Sequence, residues 1–114
     1  MTASQLIEKA GFEVLNLPED NKDRNISGVY CCDLLSVVMS KGFEDCAWIT
    51  IMGNINAVAV AALTEMSMIV LAEGTAIDEN MLPKAKMQNI TVVKSDKPIY
   101  ETAVLIHDLM KENA

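Results

Sequence analysis

Few residues in this sequence have the types and spacing to do chemistry, and they fall at the ends of apolar runs. Gly53-Asn54-Ile55-Asn56 lies between a strand-like run and a helix-forming run. A helix starting there directs free N–H groups and the positive end of its dipole at the turn, where they hold an anion such as a phosphate. Neither a Gly-x-Gly-x-x-Gly nor a Walker lysine accompanies it, so capping by Asn54 or Asn56 is the stronger reading. Glu73-Gly74-Thr75 follows the next apolar run and, in a parallel sheet, reaches the same carboxyl edge, where α/β folds tend to bind ligands. A plain turn competes with that reading. The candidate ligand-binding set is Gly53, Asn54, Asn56, Glu73, Gly74 and Thr75.

The remaining reactive side chains form no constellation. Cys31 and Cys32 are adjacent, Cys46 stands alone in sequence, and His107 is the single histidine. Zinc and iron–sulfur sites need four ligands at motif spacing, so the cysteine pair is expected in the core, as unpaired cysteines usually are. His107 is expected at the surface beside Asp108, near no nucleophile in sequence. Asn21, Asp23 and Asn25 resemble the start of a calcium loop, but Ile26 stands where glycine is required and Cys32 where glutamate is. The sequons at Asn25 and Asn89 have no meaning in a cytoplasmic chain. No catalytic residue, metal site or cofactor is expected.

The elements that must position these residues are organised around Ala47 to Gly74. An apolar run (47–52), a Gly/Asn break, ten helix formers (57–66) and a second apolar run ending at Gly74 read as strand, crossover helix and parallel strand. Before it, Thr2 and Gln5 have the spacing of a capping box for a short helix that Gly11 stops. Phe12 to Leu17 and Ile26 to Cys32 read as strands, and Pro18 to Asn25 as a polar loop with nothing packed. Asp33 is placed to cap a helix through Leu34, Leu35, Val37 and Val38 that ends at Gly42. After Gly74, a short helix holds Pro83 near its start, and Ile90 to Lys94 is a strand. Ser95 or Asp96 is placed to cap the closing helix, with Pro98 in its first turn. Ile99, Thr102, Ala103, Ile106, Leu109 and Met110 form its apolar stripe. Strands alternating with helices predict a three-layer α/β single domain, residues 1–114, with a mainly parallel sheet.

Composition excludes several classes. The net charge of −7, with nine Lys plus Arg and no basic cluster, argues against nucleic acid and anionic membranes as partners. No apolar run reaches the roughly 18 residues of a membrane span, and the N-terminus lacks the regions of a signal peptide, so a cytoplasmic chain is expected. Three cysteines with no pattern fit a reducing compartment.

Gly28 to Ser36, Trp48-Ile-Thr-Ile with Asn56 to Ala61, and Ile69 to Gly74 together resemble the DRTGG domain, from about Phe12 to Met110. More narrowly, the chain is similar to free-standing DRTGG proteins of anaerobic bacteria, whose genes often lie near hydrogenase and electron-transfer subunits. In larger proteins, domains of this family sit beside CBS modules in regulated pyrophosphatases, or ahead of phosphotransacetylase and dethiobiotin-synthetase-like domains. The fold implied is similar to the N-terminal domain of HPr kinase/phosphorylase. The role implied is regulatory or dimer-forming rather than enzymatic. The family's Gly-Asp-Arg becomes Gly53-Asn54-Ile55 here, and its Leu-Thr-Gly-Gly becomes Leu71-Ala72-Glu73-Gly74. The glycine turns carry over; the side-chain contacts of the missing Asp, Arg and Thr do not.

The helix from Ala57 to Met66 is apolar on every side and so needs cover on both. Val58, Ala61, Ala62 and Met66 are the expected dimer interface, since symmetric dimers are the commonest oligomers. The function expected is a non-catalytic regulatory or interaction module. It would be a homodimer, sensing a small anionic ligand or docking on a redox enzyme subunit. The alternative is a small enzyme acting at the carboxyl edge of the sheet, or an assembly factor for a hydrogenase.

Overall fold

A sheet whose inner strands are buried almost throughout must be covered on both faces, and this chain provides helices for both. A computed structural model describes residues 1–113. The elements are α1 (Ala3–Ala10), β1 (Glu13–Asn16), a single 3-10 turn (Glu19–Asn21), β2 (Gly28–Cys31), α2 (Leu35–Lys41), β3 (Cys46–Thr50), α3 (Ile55–Leu63), β4 (Met68–Leu71), α4 (Met81–Gln88), β5 (Thr91–Lys94) and α5 (Ile99–Glu112). The strands form one sheet in the order β1-β5-β4-β3-β2. β2 to β5 are parallel, and β1 alone pairs antiparallel, with a register shift between Val14 and Asn16. The expected three-layer, mainly parallel α/β fold is the fold observed.

β3 and β4 are buried at every residue, and alternate side chains feed two cores. Trp48, Ile69, Leu71 and Val92 face α2, α3 and α4 together with Val38, Val58 and Met81. Ile49, Met68, Val70 and Val93 face α1 and α5 with Leu6 and Ile106. A buried side chain of this size stabilises by about 1.5–3 kcal/mol, so the two apolar layers dominate the fold.

The local start signals are partly as the sequence predicts. Thr2 and Gln5 form the reciprocal capping box, and Gly11 ends α1 at φ 71°. Asn54 caps α3. Asp33, however, does not cap α2: its Oδ1 accepts from the Thr50 hydroxyl at 2.7 Å and from the Ile51 N–H at 3.0 Å. It ties the exit of β2 to the exit of β3 instead. The loop before β2 is also better packed than its polarity implies. Asn21 is buried and donates to the Asn89 carbonyl at 2.7 Å, while Arg24 pairs with Asp45 at 2.9 Å. Polar side chains that bond distant backbone carry no periodic signal, which is why this packing is invisible in the sequence.

Candidate functional site

β2 to β5 follow one another across the sheet in chain order, and the three helices joining them lie on one face. After β5 the chain passes to the other face, into α5, beside α1. The crevice between the exits of β4 and β5 is therefore where a parallel α/β sheet opens for a ligand. Here the Glu73-Gly74 turn closes it. The Glu73 N–H donates to the Lys97 carbonyl at 2.9 Å, and the Ile99 N–H donates to Glu73 Oε2 at 2.8 Å. Ile99 is the first residue of α5, whose N-cap, Pro98, offers no side-chain cap. Neither Ser95 nor Asp96 takes the capping role expected of it; a carboxylate from another loop does. Glu73 thus occupies the position where α5's dipole and free N–H would hold an anion.

Most of the other residues expected at the carboxyl edge are likewise engaged within the chain. Asn54 Oδ1 accepts from the Ala57 N–H at 3.1 Å, which is the capping reading. The Gly53 carbonyl accepts from the Asp78 N–H at 2.8 Å, and a Cβ at Gly53 would lie 2.9 Å from the Ala76 carbonyl oxygen. Thr75 Oγ1 donates to the Ala72 carbonyl at 2.8 Å. Asn56 is exposed on the first turn of α3. The structure brings Gly53 against residues 76–78 and Glu73 against residues 97–99.

The residues expected as a dimer interface on α3 lie mostly inside the protomer. Val58, Ala61 and Met66 are completely buried within the chain, and Ala62 is half-buried. The sheet covers one side of the helix and α2 and α4 flank it, while Ile55, Ala59 and Leu63 on its outer side stay exposed.

Exposed apolar side chains also line the β2 edge of the sheet. Val29 and Cys31 of β2, with Tyr100, Ala103, Val104 and His107 of α5, line a shallow cleft of about 300 Å³. Cys31 is exposed, which corrects the expectation of a buried pair; Cys32 is half-buried and Cys46 fully buried. His107 is at the surface, as expected, but tertiary folding puts it in the same cleft as Cys31. Burial and then the neighbouring Asp33 push the Cys31 thiol up, away from the thiolate that a nucleophile needs. Among the described residues no three His, Cys, Asp or Glu side chains are placed to hold a metal ion. No helix of the described residues is long and apolar enough to cross a membrane.

Together these features define a three-layer α/β domain in which loops of the chain cross the parallel-sheet crevice and apolar side chains are exposed along one strand edge. The chain belongs to the DRTGG domain family, whose model matches residues 5–109. Its fold is similar to a solved structure of the CBS and DRTGG domains of the regulatory region of Clostridium perfringens pyrophosphatase, complexed with its activator diadenosine tetraphosphate. That match has a TM-score of 0.76 at 17% identity. It covers 92% of this chain and 45% of that one, so this chain spans less than half of the neighbour's length. No curated protein matches the chain.

Proposed function

We propose that this chain is a non-catalytic regulatory module that works as a homodimer and acts by docking onto a partner protein, of which a redox enzyme subunit is the kind its resemblance implies. The observation that carries this reading is the contrast between the two regions of the sheet. At the carboxyl edge, Glu73, Asn54 and Thr75 bond the chain's own backbone, which engages three of the side chains expected to meet a ligand there. At the β2 edge, apolar side chains remain exposed beside a strand with an open side. Membership of the DRTGG family, and a neighbour that is a regulatory region, support the regulatory part of the reading. The neighbour's activator makes nucleotides the ligand class to test first.

A native mass spectrum of the protein gently purified from its own organism tests this reading, because it reports subunit count and retained ligands together. A dimer, bare or carrying extra mass, is the expected result. A bare monomer at micromolar concentration removes the dimer from the reading. Turnover of a substrate that Glu73→Gln abolishes would replace the reading with the enzymatic alternative.

A further inference from the structure

The two edges of the sheet are protected very differently. β1 carries Glu13 and a register shift, both of which obstruct pairing with another strand. β2, Gly28-Val29-Tyr30-Cys31, pairs only with β3, in unbroken register, and has neither a charge nor a proline. An unguarded edge of this kind is a template for another strand. Apolar side chains flank it in both helical layers. On one face Tyr100 is 77% exposed and Val104 38%; on the other, Phe43 packs edge-on against Tyr30 yet stays 40% exposed. Leu34, just past the strand, is 61% exposed.

We propose that β2 is the interface between two copies of this chain, pairing antiparallel with β2 of the partner copy across a two-fold axis to make one continuous ten-stranded sheet. The proposal rests on the homodimer reading above and gives it a location. A lone peptide strand would cover the edge and leave the apolar side chains on both faces exposed. A second copy has the same three-layer thickness and covers all of them, α5 against α5 on one face and the Phe43 side against its equivalent on the other. The four exposed side chains present on the order of 400 Å² of apolar-rich surface, given the size of such residues. That is about half of the roughly 800 Å² per partner in a stable interface, the rest coming from the strand edge and the cleft walls. The cleft lining itself contains no carboxylate, so the acidic side chains of two copies with net charge −7 fall around it rather than in it.

Two measurements on the full chain test it. Sedimentation equilibrium of the wild type should give a dimer. The double variant Tyr100→Glu/Val104→Glu should associate at least tenfold more weakly, with its circular dichroism unchanged. Cys31 supplies a test that leaves the interface intact. In either antiparallel register that keeps each side chain on its own face, the two Cys31 sulfurs lie within about 15 Å. A short bis-maleimide should therefore link wild-type chains covalently and fail on Cys31→Ser. A dimer that survives the double variant and shows no Cys31-dependent link overturns this location while leaving the homodimer reading in place. A wild type that is monomeric at all micromolar concentrations overturns both.

Discussion

Glu73 carries two opposed effects on one residue. Its backbone has φ 63°, the left-handed region that costs a non-glycine residue about 1–2 kcal/mol. Its carboxylate caps α5, a contact of the kind worth about 1 kcal/mol. Glu73→Ala keeps the unfavourable backbone and loses the cap, so its urea midpoint should fall by the equivalent of about 1 kcal/mol. Glu73→Gly loses the cap but relieves the backbone, and should unfold close to wild type. Equal losses in the two variants would show that the backbone term is absent. The family pattern has glycine at this position, and the φ explains why glycine fits there. Cys46 provides the pH prediction. Burial, the largest cause, raises its thiol above the ordinary 9.0, and the same cause raises Tyr30 above 10.0. As pH rises past 9.0 the unfolded chain loses the Cys46 proton first, so folding stability falls with rising pH and is fully present below that value. The urea midpoint should be flat from about pH 6 to 8 and decline above about pH 9, less steeply in Cys46→Ala. A midpoint that rises in alkali would contradict the assignment.

Among the elements, α2 shows how a helix end can be set by space rather than by backbone conformation. Gly42 ends the helix at φ −63°, a value any residue adopts. A Cβ there would lie 2.5 Å from Met66 Cε and 2.7 Å from the Val38 carbonyl oxygen. Met66 is fully buried and the carbonyl is backbone, already accepting the Gly42 N–H at 2.8 Å, so neither yields cheaply. Gly42→Ala should destabilise by about 1–3 kcal/mol in thermal or urea unfolding, the usual cost of overpacking. A gain in stability, as for a glycine held only by habit of sequence, would refute the close approach. α3 makes the complementary point. Its Asn54 cap is local, and Asn54→Ala should cost about 1 kcal/mol in the same assay without affecting association. Association unchanged in Asn54→Ala but lost in Tyr100→Glu/Val104→Glu would separate the stability of α3 from the interface at α5.

At the scale of the whole molecule, charge opposes assembly while apolar surface favours it. Each copy carries −7, and the chain holds sixteen Asp plus Glu against nine Lys plus Arg. Bringing two such molecules together is disfavoured at low salt, because their fields overlap within a Debye length of about 30 Å at 0.01 M and about 10 Å at 0.1 M. An uncharged contact at β2 gains nothing from ion pairs that salt could screen. The dimer should therefore tighten as sodium chloride is raised across that range, read by sedimentation equilibrium. Weakening with salt would mean that the interface is built on opposite charges and lies elsewhere on the surface.

The architecture could be read from the sequence because it is carried by local, repeating signals: the apolar runs of β3 and β4, the Ala/Val helix between them, the stripe of α5, and the capping box at Thr2. Each of these follows from the period of its own element and from the need to bury apolar area, and so does the layer order. What the carboxyl edge does could not be read there. Gly53, Asn54 and Glu73 have the types and positions of an anion site, but whether such a site is open depends on which loops reach it. Only the tertiary structure brings Glu73 onto the α5 N-terminus and residues 76–78 onto Gly53. The same holds for Asp33, Asn21 and Arg24, whose partners lie 17 to 68 residues away in sequence. The strand order likewise leaves β2 at an open edge beside Tyr100 and Val104. A side chain's partner across a fold is set by packing rather than by periodicity, and that is the part of this protein that its sequence alone did not determine.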